Sequence, residues 1–119
     1  MIQKYPESEL LDQSLYQVGV SQSNLKKYSE AIQSFKRVID SYVGSSWQDN
    51  SQYQIGWAFY KLEEYGDAID AFSEVIRKFP SSRLQPNAIF GIANCFFKQG
   101  HYKNAISEYK KVENYPNLK

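Results

Sequence analysis

One cysteine, one histidine, four prolines and six glycines in 119 residues remove several classes of protein at the outset. A single thiol cannot close an intramolecular disulfide, so the chain is not a disulfide-stapled miniprotein, and the thiol says little about compartment. So few Pro and Gly exclude a collagen-like or Pro/Gly-rich fibre. An excess of one charge is also missing: 14 Lys and Arg stand against 13 Asp and Glu. A net charge of +1 gives no field to gather DNA, RNA or anionic lipid. No apolar run approaches the roughly 18 residues that insert into and span a bilayer, and residues 1–20 hold no basic-then-apolar stretch of the signal-peptide kind. The chain is instead 42% apolar, with two Trp, ten Tyr and seven Phe. That is enough to build the core of one compact domain or a short repeat array.

The residues repeat at a spacing of 37. Tyr28, Tyr65 and Tyr102 form one column, Ala31, Ala68 and Ala105 a second, and Ile32, Ile69 and Ile106 a third. Phe35, Phe72 and Tyr109 follow, then Val38, Val75 and Val112. Upstream, Val18, Ile55 and Ile92 share a column, as do Gly19, Gly56 and Ala93, and the aromatics Tyr16, Tyr53 and Phe90.

Each copy contains two stretches of helical period. In the second copy Ile55, Ala58, Phe59 and Leu62 are spaced i, i+3, i+4, i+7, and Ala68, Ala71, Phe72, Val75 and Ile76 continue the pattern, so both stretches predict amphipathic helices. The turns Glu63-Glu64-Tyr65-Gly66 and Gln99-Gly100-His101-Tyr102 supply a glycine to end a helix. Second helices run out at Phe79-Pro80-Ser81-Ser82 and its equivalents Tyr42-Val43-Gly44-Ser45 and Tyr115-Pro116. Ser82-Arg83-Leu84-Gln85 has capping-box spacing, with Pro86 where a first turn tolerates it. Six helices are predicted, at about 8–24, 28–42, 47–62, 65–78, 84–99 and 102–114, with no strands.

The pattern resembles the tetratricopeptide repeat, W-x2-L-G-x2-Y, then A-x3-F, then P. The second copy carries Ile55-Gly56, Phe59, Ala68, Phe72 and Pro80 at those positions, with Gln52 in place of Trp. The third carries Ile89, Ile92-Ala93, Phe96, Ala105 and Tyr109, with Pro116 one residue early. The first carries Leu15, Val18-Gly19, Ala31 and Phe35, with Gln22 at an aromatic position and Val43 replacing Pro. The resemblance covers residues 12–119 and implies an all-α fold: a right-handed α-solenoid of three helix-turn-helix units at 12–45, 49–82 and 86–119. Small residues in both helices allow close approach, and Phe59, Phe72 and Phe96 fill the space around them.

The usual unit has 34 residues. Three more are close to one helical turn, so a lengthened second helix keeps its facing. Long units with a Tyr/Phe-Pro-x-Ser junction are similar to those of bacterial cell-envelope proteins, the outer-membrane assembly lipoproteins and the Tol-Pal-associated periplasmic protein. That resemblance favours the periplasm or cell envelope, with the cytoplasm as alternative. Ile2 and Tyr5 fall 37 before Ile39 and Tyr42. Residues 1–11 are therefore expected to be the tail of a truncated preceding repeat, and the chain a segment of a longer array with faces open to self-association.

In this family the first helices line a concave surface where partner segments dock. Counting from residues 12, 49 and 86, the inward positions are Tyr16, Val20 and Ser23, then Tyr53, Trp57 and Tyr60, then Phe90, Asn94 and Phe97. The adjacent rim residues are Asn24, Lys61 and Lys98. Five rings and a lysine at each rim of the second and third units make a candidate groove, since rigid aromatic anchors dominate binding energy; the alternative is that some rings pack between repeats. The family's carboxylate clamp uses Lys and Asn, whereas the first unit has Tyr16 and Val20, which points to an apolar peptide or helix instead.

Little else suggests chemistry. His101 falls in a turn with no second ligand near it in the pattern, and Cys95 lies within an apolar helix. Glu63-Glu64 and the Asp67/Asp70 pair sit at a solvated junction, and Lys26-Lys27 and Lys110-Lys111 are too short for a nucleic-acid stripe. No phosphate-loop, zinc or triad spacing occurs. The expectation is a non-enzymatic module with no cofactor or metal that binds a protein or peptide partner; the alternative is a structural spacer or self-association element.

Overall fold

A computed structural model describes residues 6–41 and 46–115. They form six α-helices: α1 (Pro6–Asn24), α2 (Tyr28–Ser41), α3 (Gln48–Lys61), α4 (Tyr65–Lys78), α5 (Gln85–Lys98) and α6 (Tyr102–Val112). Among the described residues there is no strand, and no helix is long and apolar enough to cross a membrane. Each helix packs on the next in sequence, and α3 also touches α5. The fold is thus the all-α stack of antiparallel pairs that the spacing predicts, with boundaries within about two residues of those predicted, the usual ambiguity of helix ends. At the start of the described residues, 6–11 belong to α1. Ile2, Tyr5, the Tyr42–Ser45 junction and Pro116 lie outside the described residues.

The repeat columns become the core. Ala31 and Ala68 are fully buried, as are Phe35, Phe72, Val38 and Val75, and Ala105 is nearly so. The small residues opposite the rings show why they are small. A Cβ built on Gly19 would lie 2.6 Å from the Phe35 ring, and one on Gly56 would lie 2.5 Å from the Phe72 ring. Gly91 of α5 meets the same Phe72 ring at 2.6 Å. Phe72 is therefore held between glycines of two successive first helices, and any larger residue must push α3 or α5 away.

Both kinds of junction differ from the predicted chemistry. Within a repeat, the left-handed residue that ends the first helix is Lys26 (φ 64°), Glu63 (φ 62°) or Gly100 (φ 80°), three positions 37 apart. Each makes a Schellman turn. The Glu64 N–H donates to the Phe59 carbonyl and the Glu63 N–H to that of Tyr60; His101 and Gly100 do the same to Phe96 and Phe97. Gly66 is not the terminator expected of it but sits in the first turn of α4. Between repeats, Ser82 and Gln85 do not form a capping box. The Ser82 hydroxyl accepts from the Leu84 N–H at 3.0 Å and donates to Asp49 Oδ2 at 2.7 Å. Gln85 reaches back instead to α4, its amide donating to the carbonyls of Phe79 (2.8 Å), Val75 and Ile76 (both 3.2 Å). Gln48, 37 residues earlier, does the same to Ile39 at 2.7 Å. The chain's next helix thus supplies donors to carbonyls that a helix C-terminus leaves without an intrahelical partner.

Candidate functional site

First helices approach each other while second helices splay. Between α2 and α4 lies an open hollow of about 440 Å³, walled by Lys36, Asp40, Asp67 and Glu74 over a floor of Ile55 and Phe59. The contact of α3 with α5 and the hydrogen bond from Gln54 Nε2 of α3 to Tyr16 Oη of α1 (3.4 Å) mark the opposite side, that of the first helices.

On that side the rings of the second unit form one continuous ladder. Tyr53 meets Trp57 edge-on at 6.2 Å, Trp57 meets Tyr60 at 5.0 Å, and Tyr60 meets Tyr65 at 5.5 Å. Tyr53 and Trp57 also rest on Phe72, at 5.8 and 5.1 Å. One side of the ladder is core and the other is accessible, which leaves all four rings half-buried. Beside Trp57 is a hollow of about 220 Å³ lined by Ser23, Asn24, Tyr28, Gln54 and Lys61. Here Asn24 and Lys61, 37 residues apart, flank one cavity.

The remaining candidates divide differently. Tyr16 packs on Phe35 at 5.6 Å and on Trp47, at the start of α3, at 5.0 Å, and Val20 joins the same core. Their rings and methyls join repeats together. Asn94 is partly buried and accepts a short hydrogen bond from the Tyr109 hydroxyl. Phe90 and Phe97 are 47% and 53% exposed, each leaning on one ring of α6, Tyr109 and Tyr102. Lys98 is exposed beside them. The structure therefore brings together Asn24, Tyr53, Trp57, Tyr60 and Lys61, and leaves the third unit's rings at the far end of the stack.

Burial raises the pKa of both Tyr60 and Tyr109 above the ordinary phenol value, with smaller contributions from Cys95 at Tyr60 and from Tyr60 and then Cys95 at Tyr109, so both hydroxyls are protonated donors at neutral pH. Cys95 is fully buried and its thiol is pushed up to about 12 by loss of solvent, which keeps it from being a thiolate nucleophile. His101 is exposed at the start of α6 and stacks on Phe96. Three features escape the repeat pattern as first read: Gly91 behind Phe72, the Gln48/Gln85 pair, and Gln54. The glutamines were readable as a column 37 apart; Gly91 falls where its counterparts are Gln17 and Gln54, so only packing identifies it.

Comparison with known proteins agrees with this architecture. Residues 8–90 match the model of the YfiO family, described as outer membrane lipoprotein, over more than two thirds of the chain. Residues 87–118 match a tetratricopeptide repeat. No curated protein matches the chain.

Proposed function

Since this chain belongs to the YfiO outer membrane lipoprotein family and carries a tetratricopeptide repeat, a protein-interaction scaffold by membership, we propose that it holds a peptide or helical segment of a partner protein against the side formed by its first helices. The observation that carries this reading is the half-buried ladder Tyr53-Trp57-Tyr60 beside a hollow flanked by Asn24 and Lys61. Rings already fixed by Phe72 lose little freedom when a ligand covers them, and tyrosine and tryptophan are the residues that dominate such contacts. The partner segment is apolar on the face that meets the rings. An acceptor near one end would meet Lys61, and the absence of a paired Lys/Asn clamp at Tyr16 and Val20 disfavours recognition of a terminal carboxylate alone. Catalysis plays no part in this reading, which the generally non-catalytic character of the two families supports. The family description directs the search for the partner to cell-envelope proteins.

The test uses peptides selected against the chain from a displayed library. Lys61→Glu with Asn24→Arg should weaken the selected peptides about tenfold or more, roughly 1.4 kcal/mol or above, while Ser73→Lys on the exposed side of α4 leaves them unchanged. Both rim residues are exposed, so the fold is not at risk; Trp57 stays in place because its ring packs on Phe72. If bound peptides instead shift the amides of Ile39 and Asp70, the ligand lies between α2 and α4 and the reading is wrong.

A further inference from the structure

Among the described residues eight large apolar side chains stand exposed, and they fall on two faces at opposite ends of the stack. Leu10, Leu11, Val18 and Leu25, between 47% and 67% exposed, belong to α1; Phe90, Phe97, Tyr102 and Ile106, between 47% and 59%, belong to α5 and α6. Solvent-facing apolar residues are usual when scattered singly, but two contiguous sets are not.

The 37-residue register says what each set is shaped to meet. Val18 shares its column with Ile55 and Ile92, which are 3% and 6% exposed because α2 and α4 cover them. Leu25 corresponds to Leu62, packed in the core with Tyr28, Ile32 and Ile55. Leu10 corresponds to Trp47, which lies on Tyr16, and to Leu84, which joins Tyr53 around Phe72. On the other end, Ile106 occupies the column of Ile32 and Ile69, Tyr102 that of Tyr28 and Tyr65, and Phe90 that of Tyr16 and Tyr53. The Ile106–Val18 and Phe90–Leu10 column pairs thus each occur twice within the chain as residues that touch or share a core, and the Tyr102–Leu25 pair once, as Tyr28 with Leu62, because Gln99 stands third in the leucine column. The α1 face is also free of charge, its shallow hollow being lined besides the apolar residues by Gln13, Ser14, Gln17, Ser21 and Gln22, so covering it strands no ion.

We propose that copies of this chain associate head to tail, the α5–α6 face of one seated on the α1 face of the next, in the register of the two internal repeat junctions. Ile106 then meets Val18 of the second copy, Tyr102 meets its Leu25, and Phe90 meets its Leu10. The contact is heterologous, using different faces on the two copies, and therefore extends into open oligomers and does not stop at a dimer. It is weaker than the internal junctions, because Gln22 stands where Phe59 and Phe96 pack and Ser21 where Ala58 and Cys95 do. This inference is independent of the side-groove reading, since none of the three contact pairs lines the hollow at Trp57.

Sedimentation of the chain from micromolar to millimolar concentration tests it, together with two charged variants at exposed positions, Val18→Glu and Ile106→Glu. The wild-type average mass should climb past the dimer without a plateau. Each variant alone should remain monomeric with unchanged circular dichroism. Mixed in equal amounts they should form a one-to-one dimer and nothing larger, because each retains the face the other has lost. Lys61→Glu should leave wild-type association intact. A wild type that stays monomeric throughout, an association that stops at dimer, or variants that fail to complement each other would overturn the proposal; loss in Val18→Glu alone would show α1 pairing with α1 instead.

Discussion

Three residues 37 apart solve one conformational problem with unequal chemistry. Lys26, Glu63 and Gly100 all adopt the left-handed region that closes a Schellman turn, yet only glycine does so without a Cβ clash. Glu63→Gly should therefore stabilise the chain by about 1 kcal/mol, and Gly100→Ala should destabilise it by about the same amount. Urea unfolding would show opposite shifts of midpoint at constant slope. Equal and small shifts would mean that the left-handed turn is not maintained in solution. The sequence points to glycine near both turns, but Gly66 sits three residues past the turn, inside α4, with nothing within 4 Å of a built Cβ. Composition identifies that a turn occurs; it does not say which residue carries the positive φ, because Lys and Glu bear no mark of a conformation forced on them by packing on both sides.

At the scale of the helix, the periodicity made all six elements and their order readable, since each amphipathic face must meet a neighbour. What holds one repeat to the next was less readable. Ser82 and Gln85 have the spacing of a local cap, yet Gln85 donates across the junction to the Val75 and Ile76 carbonyls of α4 and to that of Phe79 at its end, and Gln48 repeats the contact on α2. A three-residue spacing is the same whether the side chain turns back on its own helix or forward onto another; the tight loop after Phe79 decides it. Gln85→Leu should cost about 1 kcal/mol, the net worth of an ordinary hydrogen bond where water can partly substitute. It should also accelerate amide exchange in the last turn of α4 and leave the first turn of α5 little changed. A true capping box would reverse that, exposing the α5 amides first. The site shows the same division: its columns were legible as positions 37 apart, but Tyr16 and Val20 turned out to join repeats and Phe90 and Phe97 to lie at the end of the stack. Equivalent positions in the array are not equivalent in burial, because among the described residues only the second unit has a neighbour on both sides.

For the molecule as a whole, the central question is how three small units share stability. Each helix touches chiefly its sequence neighbours, so stability should follow a nearest-neighbour sum in which junction contacts set cooperativity. Phe72 makes such a contact. It is fully buried, belongs to the second unit, and is closed in by Gly56 of its own unit and Gly91 of the next. Its counterpart at the end of the stack, Tyr109, is partly exposed, and Ala93 stands in the column of the first-helix glycine. Phe72→Leu removes atoms from both contacts at once and should cost about 1–3 kcal/mol, within the range of core truncations. Native-state hydrogen exchange then distinguishes shared from local stability. If the ring couples the units, protection falls by equal amounts in α3, α4 and α5. Ala105→Gly in α6, an end helix, should lower protection in α6 with a much smaller effect on α3. A loss confined to α4 after Phe72→Leu would mean that the second and third units are held together by the glutamine contacts and side packing, with the ring acting only within its own repeat.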